Sequence, residues 1–219
     1  MNPKIINRAS NNLRILSAAM PEMAKSGHPG GAMGGADFIN VLFSEFLRFD
    51  PEDMTWINRD RFFLDPGHMS PMIYSILHMF GLYSTDDLKK FRQWGSNTPG
   101  HPERDVERGI ENTSGPLGQG HTFAVGAAIA ERFLCARFGD WMSHRIFAYI
   151  SDGGIQEEIS QGAGTAVKGV VDKPAGPAAM PAAMHAIETG LPGSGANRSR
   201  FVVAVVRPTA ALHEIPAVL

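Results

Sequence analysis

Three histidines of this chain share one local setting, a loop position directly after a glycine: Ser26-Gly27-His28-Pro29-Gly30, Pro66-Gly67-His68-Met69 and Pro99-Gly100-His101-Pro102. Imidazoles held on loops can donate to phosphates and hydroxyls, and they exchange protons near neutrality because their unperturbed pKa is ~6.5. A zinc reading of the three is weak. They are too widely spaced for a compact ligand pattern, and no cysteine accompanies them. His78 falls inside an apolar helical stripe and reads as a surface or packing residue.

Two further segments carry chemistry. Gly115-Pro116-Leu117-Gly118-Gln119-Gly120 stands directly before a run of small residues from Ala124 to Ala130. Glycines let backbone N–H groups approach an anion, and a helix start adds roughly half a positive charge, so this segment can stabilise a phosphate. A tight turn before a close-packed helix, with no ligand, explains the same residues equally well. The second segment, Ser151-Asp152-Gly153-Gly154, follows the apolar run Arg145–Ile150. In open α/β sheets ligands gather at the carboxyl ends of strands, where Asp152 would offer a hard oxygen to a metal already bound to phosphate; its other reading is a cap on the following helix. The sequence contains no GxSxG elbow and no P-loop GK[ST] motif.

The elements that must position these residues follow from periodicity. Ile5, Ile6, Ala9, Leu13, Leu16, Met20 and Met23 predict a first helix ending before Gly27 and kinked at Pro21. A second helix is expected over 36–47 and a strand over 61–64. Met69, Met72, Ile73, Ile76, Leu77 and Phe80 form the next helical stripe, its methionines serving as core. Ser84 or Thr85 caps a helix through Trp94, with Asp86 and Asp87 in the first turn as the helix dipole prefers. A small-residue helix spans 122–137 and stops at Gly139, followed by a strand at 145–151 and a turn at 152–154. This alternation predicts an α/β domain over residues 1–164, a parallel sheet with helices on both faces. The remaining segment, 165–219, is rich in Ala, Pro and Gly, with Phe201 its sole aromatic. Prolines 174, 177 and 181 forbid a continuous helix there, and 201–206 alone reads as a strand.

Composition narrows the partners. The 219 residues are 43% hydrophobic and 19% charged with a formal net charge of −2, which gives no drive toward nucleic acid or an anionic membrane. No segment approaches the ~18 consecutive apolar residues of a membrane span, and the polar start lacks a leader pattern. The single cysteine, Cys135, lies in the apolar run Phe133–Phe138, as a buried inert thiol would; a cytoplasmic, reducing compartment is expected.

Taken together, AKSGHPGGAMGGADF (24–38), WINRDRFFLDPGHMSPMIY (56–74), FRQWGSNTPGHPE (91–103), TSGPLGQG (113–120) and ISDGGIQEEIS (150–160) closely resemble, in order and spacing, the diphosphate-binding domain of transketolases. WINRDRF and TPGHPE favour that family over other thiamine-diphosphate enzymes. The resemblance implies the thiamine-diphosphate-binding fold, thiamine diphosphate with Mg²⁺ (or Ca²⁺) as cofactors, and transfer of a two-carbon ketol unit between sugar phosphates in the pentose phosphate pathway. The cofactor supplies the carbanion chemistry; the protein positions it and handles protons. Carried over by motif, His68, Gly115, Leu117, Asp152 and Gly153 contact the cofactor. Asp152 ligates the metal, His28 and His101 face donor and acceptor sugar as the catalytic histidines, and Glu157 lies near a subunit interface.

The chain also departs from the family. Ser151 replaces the first residue of a Gly-Asp-Gly metal motif. An Asn ligand expected roughly thirty residues after the Asp, about one βα unit on, has no counterpart: position 182 is Ala, and the first following Asn is Asn197. The resemblance covers no pyrimidine-binding domain, and 165–219 reads as a foreign terminus or a change of frame. Three expectations result: a chain inactive alone and completed as a homodimer or by a pyrimidine-binding partner chain; the N-terminal subunit of a split transketolase; or a non-catalytic truncated homologue.

Overall fold

The chain enters its first helix through Asn2, whose side chain accepts the Lys4 amide at 3.0 Å just ahead of Pro3, an N-cap followed by proline at the first helical position. The structure, a computed structural model, describes residues 2–160 and the strand segments 184–188 and 202–206. Helix α1 covers Pro3–Ala24 and buries Ser10, Leu13, Ser17 and Met20, three and four residues apart along one face. Its apolar stripe is narrower than the sequence suggests, since Ile5 and Met23 stand 60% and 57% exposed. Pro21 lies in the last turn, where it removes the bond an amide would make to the Ser17 carbonyl, and Lys25 closes the helix in the left-handed region.

The helix expected over 36–47 is shorter and compound. Helices α2 (Pro29–Gly34) and α3 (Ala36–Val41) are followed by a π-helical turn at Leu42–Phe46, sealed by the Leu47 amide on the Leu42 carbonyl at 2.7 Å. Strand β1 (Arg61–Leu64) has its expected bounds, and α4 (Ser70–Met79) buries Met72 completely, with Met69 in the turn before it, as core. Ser84 caps α5 in a reciprocal box with Asp87, but α5 spans only Thr85–Lys89 rather than reaching Trp94. Arg92 adopts φ 61° and its amide turns to the Thr98 carbonyl, so the chain leaves the helix and Trp94 projects into solvent. Helix α6 (Gln119–Phe138) stops at Gly139 as expected, β2 is Ile146–Ile150, and the turn at 152–154 belongs to a short helix, α7 (Asp152–Gln156).

Two more strands, β3 (Met184–Glu188) and β4 (Val202–Val206), complete a sheet of order β1-β2-β4-β3. The β1–β2 pair is parallel, with Arg61 opposite Ile146 and Leu64 opposite Tyr149; β4 runs antiparallel to both its neighbours, so the sheet as a whole is mixed. The strand expected at 201–206 is β4, whereas β3 had no sequence signal. Prolines 174, 177 and 181, Ala182 and Asn197 lie outside the described residues.

Strand alternation explains why both faces carry helices. Phe62, Leu64, Phe147 and Tyr149 face the larger core with residues of α1, α3 and α4, while Phe63, Ile146, Ala148 and Ile150 face Ala124 and Ala128 of α6. Every residue of β2 is buried, which is why its sequence reads as an unbroken apolar run. Cys135 of α6 sits 3.1 Å from a Glu131 carboxylate oxygen; burial, then Glu131, pushes its thiol up to about 12, so it stays protonated at neutral pH. Among the described residues no helix is long and apolar enough to cross a membrane.

Candidate active site

The parallel pairing of β1 and β2 brings their carboxyl ends together, and the Asp65 amide still reaches the Tyr149 carbonyl at 3.0 Å beyond the strands. Two loops therefore leave the sheet side by side: one carries Pro66, Gly67 and His68, the other Ser151, Asp152 and Gly153. His68 is half-buried in a 3₁₀ turn, and its ring meets the exposed His28 ring edge-to-face with centroids 5.3 Å apart. The loop bearing His101 is tied to α4 by two bonds, Ser70 Oγ donating to the Gly100 carbonyl (2.7 Å) and the Tyr74 hydroxyl to the Pro99 carbonyl (3.0 Å). Arg92 joins this region to the His28 loop by donating to Ser26 Oγ at 2.8 Å.

Electrostatics record the same convergence. Burial holds the His68 imidazole below its ordinary value, with His28 and His101 adding to the shift. His101 is lowered by burial, then by Arg92 and His28. A lowered imidazole pKa means that the folded chain binds fewer protons than the unfolded one below the ordinary imidazole value. Stability from these groups is therefore fully present above that value and is lost as pH falls through the lowered folded one. Buried His144 is lowered as well and adds to the loss. Thermal unfolding should accordingly show a midpoint that drops on acidification across this window, less steeply in His68→Asn. An equal drop in the variant would remove His68 from the set responsible.

The glycine loop lies against both strand ends. Ser114 Oγ donates to the Leu64 carbonyl at 2.7 Å and Asn112 Nδ2 to the same oxygen at 3.3 Å, pinning the segment before Gly115 to β1. Gly118, at φ 87°, turns the chain into α6 and, as a glycine, offers no side-chain cap of its own. A Cβ on Gly153 would sit 3.2 Å from Leu117 Cδ1, and one on Gly118 would sit 2.8 Å from Glu157 Cβ. Leu117 and Gly153 thus adjoin, and the exposed Glu157 packs its stem on Gly118.

Asp152 is exposed at the first position of α7, and it is not the cap. Ser151 does that work, its Oγ accepting the Gly154 amide at 3.1 Å, which satisfies the helix start and leaves the Asp152 carboxylate available. Among the described residues no group of three or more His, Cys, Asp or Glu could hold a metal ion.

The site contains residues that sequence reasoning missed. Asp65, 0% exposed, accepts the Gly120 and His121 amides at 2.9 and 3.3 Å on Oδ1, with His121 Nδ1 3.1 Å from the same oxygen. The available signal was an acidic residue directly after an apolar strand. Arg92 and Ser114 lay inside quoted motifs and Asn112 directly before one, with nothing in their spacing to show what they hold together.

Residues 5–171 match the family described as "Transketolase, thiamine diphosphate binding domain". The chain belongs to the transketolase family. Transketolase of Buchnera aphidicola is 50% identical over 158 residues, which cover 70% of this chain and 24% of that protein. Transketolase 1 of Escherichia coli is 47% identical over 165 residues, 71% of this chain and 25% of the relative. Among solved structures, transketolase from Leishmania mexicana superposes with a TM-score of 0.73 at 42% identity, covering 76% of this chain and 26% of its own. Pichia stipitis transketolase in complex with sedoheptulose-7-phosphate gives 0.70 at 38% identity, covering 76% and 25%. The chain thus spans about a quarter of the length of the transketolases it matches.

Proposed function

We propose that this chain binds thiamine diphosphate with Mg²⁺ (or Ca²⁺) and serves ketol transfer between sugar phosphates, as in the pentose phosphate pathway of the cytoplasm. The observation that carries this reading is the gathering of His68, the Gly115–Gly118 loop and Asp152 at the shared carboxyl end of β1 and β2, beside His28. The residues suit a diphosphate. Among the described residues a Cβ on Gly115 would meet nothing within 4 Å, leaving its backbone open to a ligand, and the N–H groups at the start of α6 that Asp65 does not hold can donate to a phosphate. For the cation the described residues offer the Asp152 carboxylate; Mg²⁺ commonly combines one or two carboxylates with phosphate oxygens and water.

When bound, thiamine diphosphate supplies the carbanion chemistry by which a two-carbon unit changes hands. His68, kept neutral at pH 7 by its burial, can donate one ring N–H to a phosphate oxygen without the cost of a buried charge. Leu117 and Gly153 give the adjoining apolar wall. His28 and the exposed His101, on the solvent side of His68, can donate to sugar hydroxyls and exchange protons with them. Glu157, exposed beyond Gly118, is assigned to an interface with a second copy or with a pyrimidine-binding partner chain. We retain residues 1–164 as the unit that carries the site, with 165–219 contributing β3 and β4 to the same sheet.

Calorimetric titration of thiamine diphosphate with Mg²⁺ tests the reading: binding is expected, lost in EDTA and weakened at least tenfold in Asp152→Ala, the scale typical of losing metal-site groups. Binding indifferent to EDTA and to the substitution would take Asp152 out of the site. In a coupled assay with xylulose 5-phosphate and ribose 5-phosphate, the isolated chain should bind without turnover.

A further inference from the structure

The two oxygens of Asp65 live in different surroundings. Oδ1 collects the Gly120 amide, the His121 amide and the His121 ring, all from the first turn of α6. Among the described residues Oδ2 has no hydrogen-bond partner, although the residue is wholly buried, and it faces α7 so closely that a Cβ on Gly154 would lie 2.1 Å from it. An unpaired buried oxygen costs desolvation with no return, so what Asp65 contributes lies in the acceptor it places at Oδ1. Asp65 touches three segments of the ligand face: the His68 loop through its own backbone, α6 through the bonds to Oδ1, and the Asp152 turn, which Oδ2 abuts.

We infer that Asp65 is a positioning residue for the diphosphate, gripping the start of α6 and abutting the α7 turn so that the Gly115–Gly118 loop and Asp152 face one ligand; this rests on the function proposed above. The residue touches neither ligand nor reacting atom. It acts through the amides it holds, which fixes the direction in which the start of α6 and the glycine loop present their remaining N–H groups. An oxygen acceptor at Oδ1 is what the geometry requires, and the negative charge is not.

The test uses the full chain with two probes, thiamine diphosphate and inorganic diphosphate, each titrated calorimetrically with Mg²⁺. Asp65→Ala should weaken both by at least tenfold, the range typical when a group behind a ligand-binding residue is lost, with helix content by circular dichroism unchanged. Asp65→Asn, which keeps an acceptor for the two amides, should restore most of that affinity. Wild-type affinity in Asp65→Ala overturns the inference, as does an Asp65→Asn variant as weak as the alanine one, since charge rather than placement would then be at work. If Asp65→Ala does not fold, His121→Ala takes its place: it removes one grip on Oδ1 and should weaken both probes while Asp65→Asn does not, and the reverse order overturns the assignment. A wild-type chain that binds neither probe refutes the proposed function and this role together, whereas wild-type binding with an indifferent Asp65 refutes only the role.

Discussion

Gly120→Ala should be among the most damaging single substitutions in this chain, lowering stability by at least ~3 kcal/mol, or preventing folding, through overpacking against rigid groups. A Cβ there would lie 2.3 Å from Asp65 Cα and 2.7 Å from the Leu64 carbonyl oxygen. Both are backbone atoms at the end of β1, so no rotamer change relieves the clash; α6 must move off the sheet, carrying the glycine loop with it. Gly126→Ala, in the same helix, is the control. Nothing lies within 4 Å of its Cβ position, and replacing a helical glycine by alanine should gain up to ~1 kcal/mol. Thermal melts would separate the two, because ~3 kcal/mol corresponds to a midpoint loss on the order of 10 °C for a domain of this size. A Gly120→Ala midpoint close to that of Gly126→Ala would mean that α6 does not rest on β1 as described.

The same contact shows what could and could not be read from the residues alone. Local pattern was enough for β1, for the stop of α6 at Gly139 and for Met69 and Met72 as core, because periodicity, a C-terminal glycine and apolar stripes are properties of short windows. It overran where the tertiary structure ends an element: α5 stops at Lys89 because the chain turns back at Arg92 to reach Thr98, a contact invisible in the helical pattern. Strand direction was illegible too. The apolar run at 202–206 says strand, but its antiparallel pairing with β2, and with a β3 that has little strand pattern, is a long-range fact. For the site, glycine and histidine motifs pointed to the loops, and shared motif order pointed to one face. Asp65 escaped because its role depends on Gly120 and His121 in a helix far along the chain, and no local spacing encodes that meeting.

Glu111→Ala is the other substitution expected to cost most, about 3–5 kcal/mol, the range for stripping one partner from a buried ion pair. Arg59 Nη2 donates to Glu111 Oε1 at 2.5 Å, with the two side chains 3% and 9% exposed, and among the described residues Arg59 Nε has no partner of its own. Burial raises the Glu111 pKa although Arg59, Arg61 and Arg104 pull it down, so desolvation outweighs attraction at the carboxylate. A raised carboxylate pKa favours folding below the unfolded value, and that contribution is lost as pH rises through the folded one; at neutral pH the charge on Glu111 is no net gain. The pair is therefore costly to break and cheap to replace. Arg59→Met combined with Glu111→Leu should recover most of the loss, since neither partner is then left charged and buried. Denaturant midpoints of the wild type, both single variants and the double variant decide this, and a double variant as unstable as Glu111→Ala would show that the pair stabilises through attraction after all. The consequence reaches the site, because Glu111 directly precedes Asn112 and lies three residues before Ser114, and these two pin the glycine loop to Leu64. Even where Glu111→Ala remains folded, the Gly115–Gly118 loop should lose its fixed seat, and diphosphate affinity should fall with stability in the single variant and return in the double one.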